Sequence, residues 1–550
     1  MANAHDITAQ LWEMANHLRG KMEAPQYRDY ILGFMFYRFL SEKQEHYLVE
    51  SGAIEPEAGK TVNDCYLEEA SGEELEDYLV DISDTLGYAI APEYTWATII
   101  NKINGGTLKP EDFQGMFDDF QKNAQINHNA VQDFQGVFSD INLADSRLGN
   151  TPAAKTHALA QVAQMIDSFE YFDENGHDVV GDVYEYLISE FAGASVKKAG
   201  EFYTPHEVSQ LMAKIVANNL PADQEETRIY DFACGSGSLL LTQGHELPGA
   251  AEKRRVIHYF GQELSTTTYN LARMNLMMHG VDYNLMTMRN ADTLGADWPL
   301  EEDNEGVKHP QVFDAVVANP PYSAEWDNDD SKLKDARFKD YALAPKKKAD
   351  YAFLLHGLYH LDNEGTMAIV LPHGVLFRGA KEGKIRQALL EKGQIEAIIG
   401  LPEKLFFSTG IPTIVMVLKK QRTSKDVIFI DASRGFEKGK NKNVLRKSDI
   451  EKIVETYRNR QDVDKYAHLA DFDEIKENDY NLNIPRYVDT FEPEPPVDLK
   501  RVASEMKETD EKIKQTEGEL VGMLKDLTSD DEEIMAGLNA LIANLEGEAK

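Results

Sequence analysis

The chain predicts an α/β fold built on a doubly wound, mainly parallel sheet with one antiparallel hairpin strand, an all-α region before it and a helical tail after it. Three observations carry this reading. From residue 229 onward short apolar runs alternate with helix-length segments, the texture of strands joined by crossover helices. Up to about residue 165 apolar residues recur at helical spacing instead. Beyond Phe491 the text "EPEPPVDLK" interrupts regular structure before a polar run with helical character. The 550 residues leave room for three or four structural units at about 150 residues each.

Taken in order, Ile7, Leu11, Met14, Leu18 and Met22 are spaced by three and four, and Tyr30, Phe34 and Tyr37 continue on a second helix. Linker-like residues occupy 148–153, and "VGDVYEYLISEFA" (180–192) reads as another helix. The candidate strands are 228–233, 255–263, 314–320, 366–372, 395–402, 413–420 and 427–433, with crossover helices at 265–278 and 351–361. The connection between 395–402 and 413–420 is short and contains Gly and Pro, which predicts a hairpin and hence one antiparallel strand near an edge. In the tail Met506, Ile513, Leu520 and Leu527 repeat every seven residues, but Thr509 and Thr516 hold the alternate positions. Residues 501–550 carry 6 Lys or Arg against 13 Asp or Glu, so this narrow apolar stripe on an acidic helix suits docking to a partner helix better than independent folding. The expected division is a helical domain (1–165), a catalytic α/β domain (166–490) and a docking tail (491–550).

Composition bounds the function. A net charge of -37 opposes nucleic-acid binding by the chain unaided, since phosphate neutralisation supplies much of such affinity. Any contact with DNA must then be local and assisted, and two basic stretches stand out, "PKKKAD" (345–350) and "RGFEKGKNKNVLRK" (434–447). No uncharged apolar run reaches the ~20 residues of a membrane span, and the N-terminus does not read as a signal peptide, so no membrane association and a cytoplasmic location are expected. Cys65 and Cys234 offer no disulfide framework, and Cys234 reads as a small side chain packed under a turn. His206, His356 and His373 lack the spacing of a metal triad, so no metal is expected.

The stretch "IYDFACGSGSLLL" (229–241) runs a strand into Asp231, turns at Gly235 and Gly237, and starts a helix at Ser238. A third dinucleotide-type glycine would fall on Leu240, and no Gly-Lys-Ser follows, so phosphate-binding loops fit poorly. The next strand ends in Glu263, where a doubly wound sheet holds a ribose diol, and Asp292 in "NADTL" could accept from an adenine amine. A nucleoside without phosphates points to S-adenosylmethionine (AdoMet).

Asn319-Pro320-Pro321-Tyr322 follows the apolar run 314–318, at the carboxyl end of a central strand. The Asn319 side-chain oxygen and the Pro320 carbonyl could accept both hydrogens of a conjugated amino group and draw its nitrogen toward attacking geometry. Proline fixes φ and removes a competing donor, and Tyr322 would stack on the ring.

This ordered set resembles the adenine-N6 DNA methyltransferases, and more closely the modification (M) subunits of type I restriction-modification systems. "GEFYTPHEVSQLM" (200–212), the helical N-terminus and "YNLNIPRYVD" (480–489) extend the likeness over most of the chain. The resemblance implies an AdoMet-dependent methyltransferase sheet of Rossmann-like type, in which Tyr203, Thr204 and Pro205 join Asp231, Gly235, Gly237, Glu263 and Asp292 at the cofactor. It implies that Phe406 or Phe407 supplies a second aromatic against a base flipped out of double-stranded DNA. It also implies a separate specificity (S) subunit, a second copy of the M subunit so that two M subunits surround one S subunit, and a restriction (R) subunit as a further partner. A glutamine-directed protein methyltransferase with the same Asn-Pro-Pro-Tyr chemistry, a self-contained restriction-and-modification enzyme and a non-catalytic scaffold are the alternatives. The first 165 residues show no nuclease pattern for the second of these.

Overall fold

Apolar residues at both odd and even positions make the central strands, because each must bury two faces. The computed structural model describes residues 24–169, 180–194, 204–250, 254–406, 410–439, 442–491 and 498–548. The strands are β1 (Glu226–Asp231), β2 (Val256–Glu263), β3 (Met286–Asn290), β4 (Phe313–Ala318), β5 (Leu361–Pro372), β6 (Ile395–Gly400), β7 (Thr413–Leu418), β8 (Val427–Asp431) and β9 (Ala467–Ala470). They hydrogen-bond as one sheet in the order β9-β8-β6-β7-β5-β4-β1-β2-β3. β1 runs parallel to β2 and β4, while β7 is antiparallel to both β5 and β6. Chain direction outward from β1 reverses between β1 and β4, the switch point at which open sheets carry their sites.

The expected hairpin strand is therefore present, but it is not near an edge. β8 pairs parallel with β6, and β9 adds a second antiparallel strand outside it. The apolar run of β8 needed cover on both sides, and the short, polar-flanked "AHLA" of β9 supplies the outer one.

The helices used below are α1 (Ala24–Glu50), α2 (Pro110–Asn123), α3 (Pro152–Asp167), α4 (Val180–Ala194), α5 (His206–Ala217), α6 (Ser238–His245), α7 (Thr266–Met278), α8 (Asp350–His360), α9 (Ala380–Glu391), α10 (Lys447–Asn459), α11 (Leu499–Lys525) and α12 (Glu532–Glu548). Alternate strand residues feed two cores. Ala315, Val317, Ala368 and Val370 join α5, α6, α7 and the N-terminal helices on one face. Val316, Ala318, Ile369 and Leu371 join α8 and α9 on the other. The N-terminal helices share an aromatic cluster in which the Phe120 and Phe138 rings meet edge to face at 5.0 Å and Phe34 stacks on Phe113 at 5.5 Å. The predicted helix through Ile7–Met22 lies outside the described residues.

The helical region and the sheet meet at α7. Asp140 accepts from Thr267 Oγ1 at 2.6 Å and from Asn270 Nδ2 at 2.7 Å. Buried Arg273 donates to the carbonyls of Gln132, Asp133 and Gln135. Residues 1–489 form one compact unit and residues 490–550 a second. Within the second, α11 and α12 pair as a hairpin closed by the Lys525–Glu546 ion pair, with Val521 and Ile542 buried. No helix among the described residues is long and apolar enough to cross a membrane.

Candidate active site

The carboxyl ends of β1, β2 and β4 carry the predicted chemistry. Past β1, Gly235 at φ +55° and Gly237 at φ +79° take the left-handed backbone that side chains resist. A Cβ on Gly237 would meet the tip of the Leu276 side chain at 3.3 Å, and the positive φ strains any side chain there, so a bare residue suits the start of α6. A Cβ on Gly235 would instead enter open space, with nothing within 4 Å. That space fits a ligand approaching the backbone of the turn.

Glu263, at the end of β2, holds the turn in place. Its Oε2 accepts from Gly235 N at 3.1 Å and its Oε1 from Ser265 N at 2.8 Å. A carboxylate oxygen accepts more than one hydrogen bond, so the group that fixes the turn can also take a vicinal diol beside the glycines. Asp231 is 1% exposed and accepts from Ala233 N at 3.0 Å. Burial pushes its carboxyl up to about 8, opposed by that amide and assisted by the Glu263 charge. Asp292 is exposed on the turn after β3, where its Oδ1 accepts from Leu294 N at 3.0 Å. Cys234 lies buried beneath the turn, its thiol raised far above the ordinary range by burial.

At the end of β4 the Asn319 amide is fixed from two sides. Its Nδ2 donates to Thr204 Oγ1 at 3.1 Å and its Oδ1 accepts from the Tyr322 hydroxyl at 2.8 Å. Burial, with the Asp350 charge adding, keeps that phenol neutral. The Pro320 carbonyl accepts no backbone hydrogen bond among the described residues. The ring of Phe406, from the β6–β7 connection, stands edge-on to Tyr322 at 6.3 Å. Thr204, expected at the cofactor, therefore touches the Asn319 amide, and Pro205 caps α5 behind it. Tyr203 and Phe407 lie outside the described residues.

The chain is matched by the N-6 DNA Methylase family over residues 175–495 and by the HsdM N-terminal domain over residues 7–166. It is 35% identical over 540 residues to the type I restriction enzyme MpnII methylase subunit of Mycoplasma pneumoniae, covering 96% of this chain and 97% of that one. A crystal structure of a type I restriction-modification methyltransferase subunit from Streptococcus thermophilus is 46% identical, with a TM-score of 0.80 over 88% of this chain and all of that one. A structure from work on assembly of the type I system shares the fold at 18% identity and a TM-score of 0.60, over 96% of this chain. The chain belongs to the type I restriction-modification methylase subunits of the N-6 DNA methylase family.

The methylase's reaction is methyl transfer to the N6 amino group of adenine in DNA. Two buried networks around its site carry no sequence signature and were missed by sequence reasoning. In the first, Asp350 at the start of α8 accepts from Ser323 N at 2.7 Å and pairs with Arg378 at 2.9 Å, clamping the residue after Tyr322 at φ +53°. In the second, Arg337 donates to His356 Nδ1, which leaves the His356 Nε2 proton for Tyr230, whose hydroxyl then donates to Gln262. Arg337 also holds the carbonyls of Thr293 and Gly295, fixing the Asp292 turn of the methylase. Only the two histidines of "HGLYH" (356–360), set in the apolar run of α8, could have hinted at a buried polar partner.

Proposed function

We propose that the methyl donor is AdoMet, held by Asp231, Gly235, Gly237, Glu263 and Asp292, and that the acceptor is an adenine extruded from double-stranded DNA toward Asn319-Pro320-Pro321-Tyr322. The observation that carries this is the Thr204–Asn319–Tyr322 linkage standing beside the open glycine turn at the sheet's switch point. The donor set fits the cofactor: a carboxylate at the turn for a ribose, a bare backbone for close approach, and a buried acid for a cationic ligand. AdoMet supplies an activated methyl group when bound.

The chain's own residues then position and accept. Asn319 Oδ1 has one lone pair engaged by Tyr322, and the other accepts one N6 hydrogen while the Pro320 carbonyl accepts the second. Both contacts strengthen as positive charge develops on the nitrogen, which places their effect in the transition state. Tyr322 and Phe406 flank the ring; Phe407 remains the other candidate, and Tyr203 is proposed to close over the cofactor with Thr204 and Pro205.

Sequence choice falls to a specificity subunit joined by two methylase chains, with a restriction subunit as a further partner, in a cytoplasmic complex. On this reading residues 1–165 and 166–490 act on cofactor and DNA, and residues 491–550 dock the partner. The test is labelled methyl transfer to DNA by the chain with its specificity partner. Transfer to adenine that Asn319→Ala abolishes, with AdoMet binding retained, supports the reading; equal transfer by that variant sinks it.

A further inference from the structure

The two basic stretches differ in what their cations already do. In 434–447, Lys442 pairs with Glu207 at 3.0 Å, Arg446 with Asp449 at 2.8 Å and Lys447 with Glu451 at 3.9 Å. These charges tie a small hairpin to α5 and to the start of α10. In 345–350, none of Lys346, Lys347 and Lys348 forms an ion pair within 4.0 Å among the described residues, and Lys346 and Lys347 are exposed. Burial raises the carboxyl of Glu382, opposed by Arg378 and more weakly by nearby Lys348, and that carboxylate is already paired with Arg378. An acidic chain of net -37 thus keeps three adjacent ammonium groups in one place without a carboxylate committed to them.

That place is fixed against the catalytic turn. Trp326 N donates to the Lys346 carbonyl at 2.9 Å, Ala349 N to the Ala324 carbonyl at 3.0 Å, and the Trp326 indole to the Pro345 carbonyl at 3.1 Å. The lysines therefore run alongside the segment that leaves Tyr322, and the chain then enters Asp350, whose carboxylate clamps Ser323. Buried Trp326 and Ala349 make this a rigid shelf. Nearby Asp327 and Asp329 each commit an oxygen to their own turns, accepting from Asp329 N at 3.2 Å and Ser331 N at 2.9 Å.

Extruding a base leaves its flanking backbone to be held while unpairing costs a few kcal/mol, and ammonium groups within short reach of the target are what phosphates require. We propose that Lys346, Lys347 and Lys348 bind the phosphodiesters flanking the adenine presented to Tyr322. This rests on the DNA-adenine reading above.

The experiment measures binding of the full chain with its specificity partner to a short duplex carrying one mismatched adenine, across a salt series. The triple variant Lys346→Ala, Lys347→Ala, Lys348→Ala is compared with wild type. A control removes Lys465 and Lys476, which flank the edge strand β9, five strands or about 24 Å from β4. The triple variant should weaken binding roughly tenfold or more and lower the slope of log affinity against log salt by about 2 to 3, at about 0.9 per phosphate. AdoMet binding without DNA should be unchanged, and the control should keep the wild-type slope. Lys347→Glu alone should weaken binding with the fold intact by thermal melting. An unchanged slope in the triple variant, or an equal drop in the control, overturns the proposal. If wild type methylates DNA and the slope is unchanged, the shelf alone fails; if wild type neither binds nor methylates DNA, the functional reading fails with it.

Discussion

Asp231 is protonated near neutrality, because burial lifts its carboxyl to about 8 while an unfolded aspartate titrates at 3.8. The raised value means its contribution to stability is present below pH 3.8 and is lost as pH rises through about 8. A cationic ligand such as AdoMet favours the ionised form, so binding should expel a proton. AdoMet affinity is expected to rise between about pH 6 and 8, by at most about tenfold per unit, and to level above that. Calorimetric titration in buffers of different ionisation heat checks this, and Asp231→Asn should flatten the profile. A second prediction concerns Asp350, 1% exposed and paired with both Ser323 N and Arg378. Asp350→Ala should cost about 3 kcal/mol of stability and lower single-turnover methylation, with AdoMet binding kept, as seen by thermal melting and rapid-quench assays. The positions of Asn319, Asp231 and Glu263 were legible in sequence because each ends an apolar run. Asp350, Arg337 and His356 were not, since their roles come from partners 19 to 28 residues away that only the fold brings near.

At the scale of elements, α8 packs His356 and His360 side by side, ring centroids 4.7 Å apart, under the sheet. Burial drives His356 well below its ordinary value and His360 down to about 4, with neighbouring positive charge adding to the His356 shift. A depressed base contributes stability that is present above pH 6.5 and lost as pH falls toward about 4. Melting temperature should therefore drop across that window, and His360→Gln should make the drop shallower. The helical tail carries its own prediction: Met506, Ile513 and Leu520 on α11 are 62%, 49% and 45% exposed. On the proposed docking role of this tail, Ile513→Asp with Leu520→Asp should abolish assembly with a specificity partner in size-exclusion measurements while leaving AdoMet binding unchanged. Seven strands and the crossover helices α7 and α8 were readable from apolar runs, whereas α9 was not among them. β3 ("MTMRN") and β9 ("AHLA") were not, because an edge strand buries one face and shows few consecutive apolar residues.

Over the whole molecule, Arg273 and Asp140 bind the helical region to the sheet so closely that the two share one core. Residues 1–489 should consequently unfold in one calorimetric transition, and Arg273→Met, which takes the guanidinium from the Asp133 and Gln135 carbonyls and leaves that of Gln132 only the Tyr269 hydroxyl, should lower that single transition without splitting it. The all-α and α/β textures were visible in the sequence, but their fusion was not, since periodicity reports which residues are buried and not what they are buried against. The sheet order also sets a timetable for biosynthesis. β1 carries the glycine turn yet is flanked by β4, made some 80 residues later, or roughly 4 to 16 seconds at about 5–20 residues per second. During that interval an apolar strand waits with an unpaired edge, so slowing translation before β4 should raise aggregation of the nascent chain, and early access to a chaperone should be worth most there.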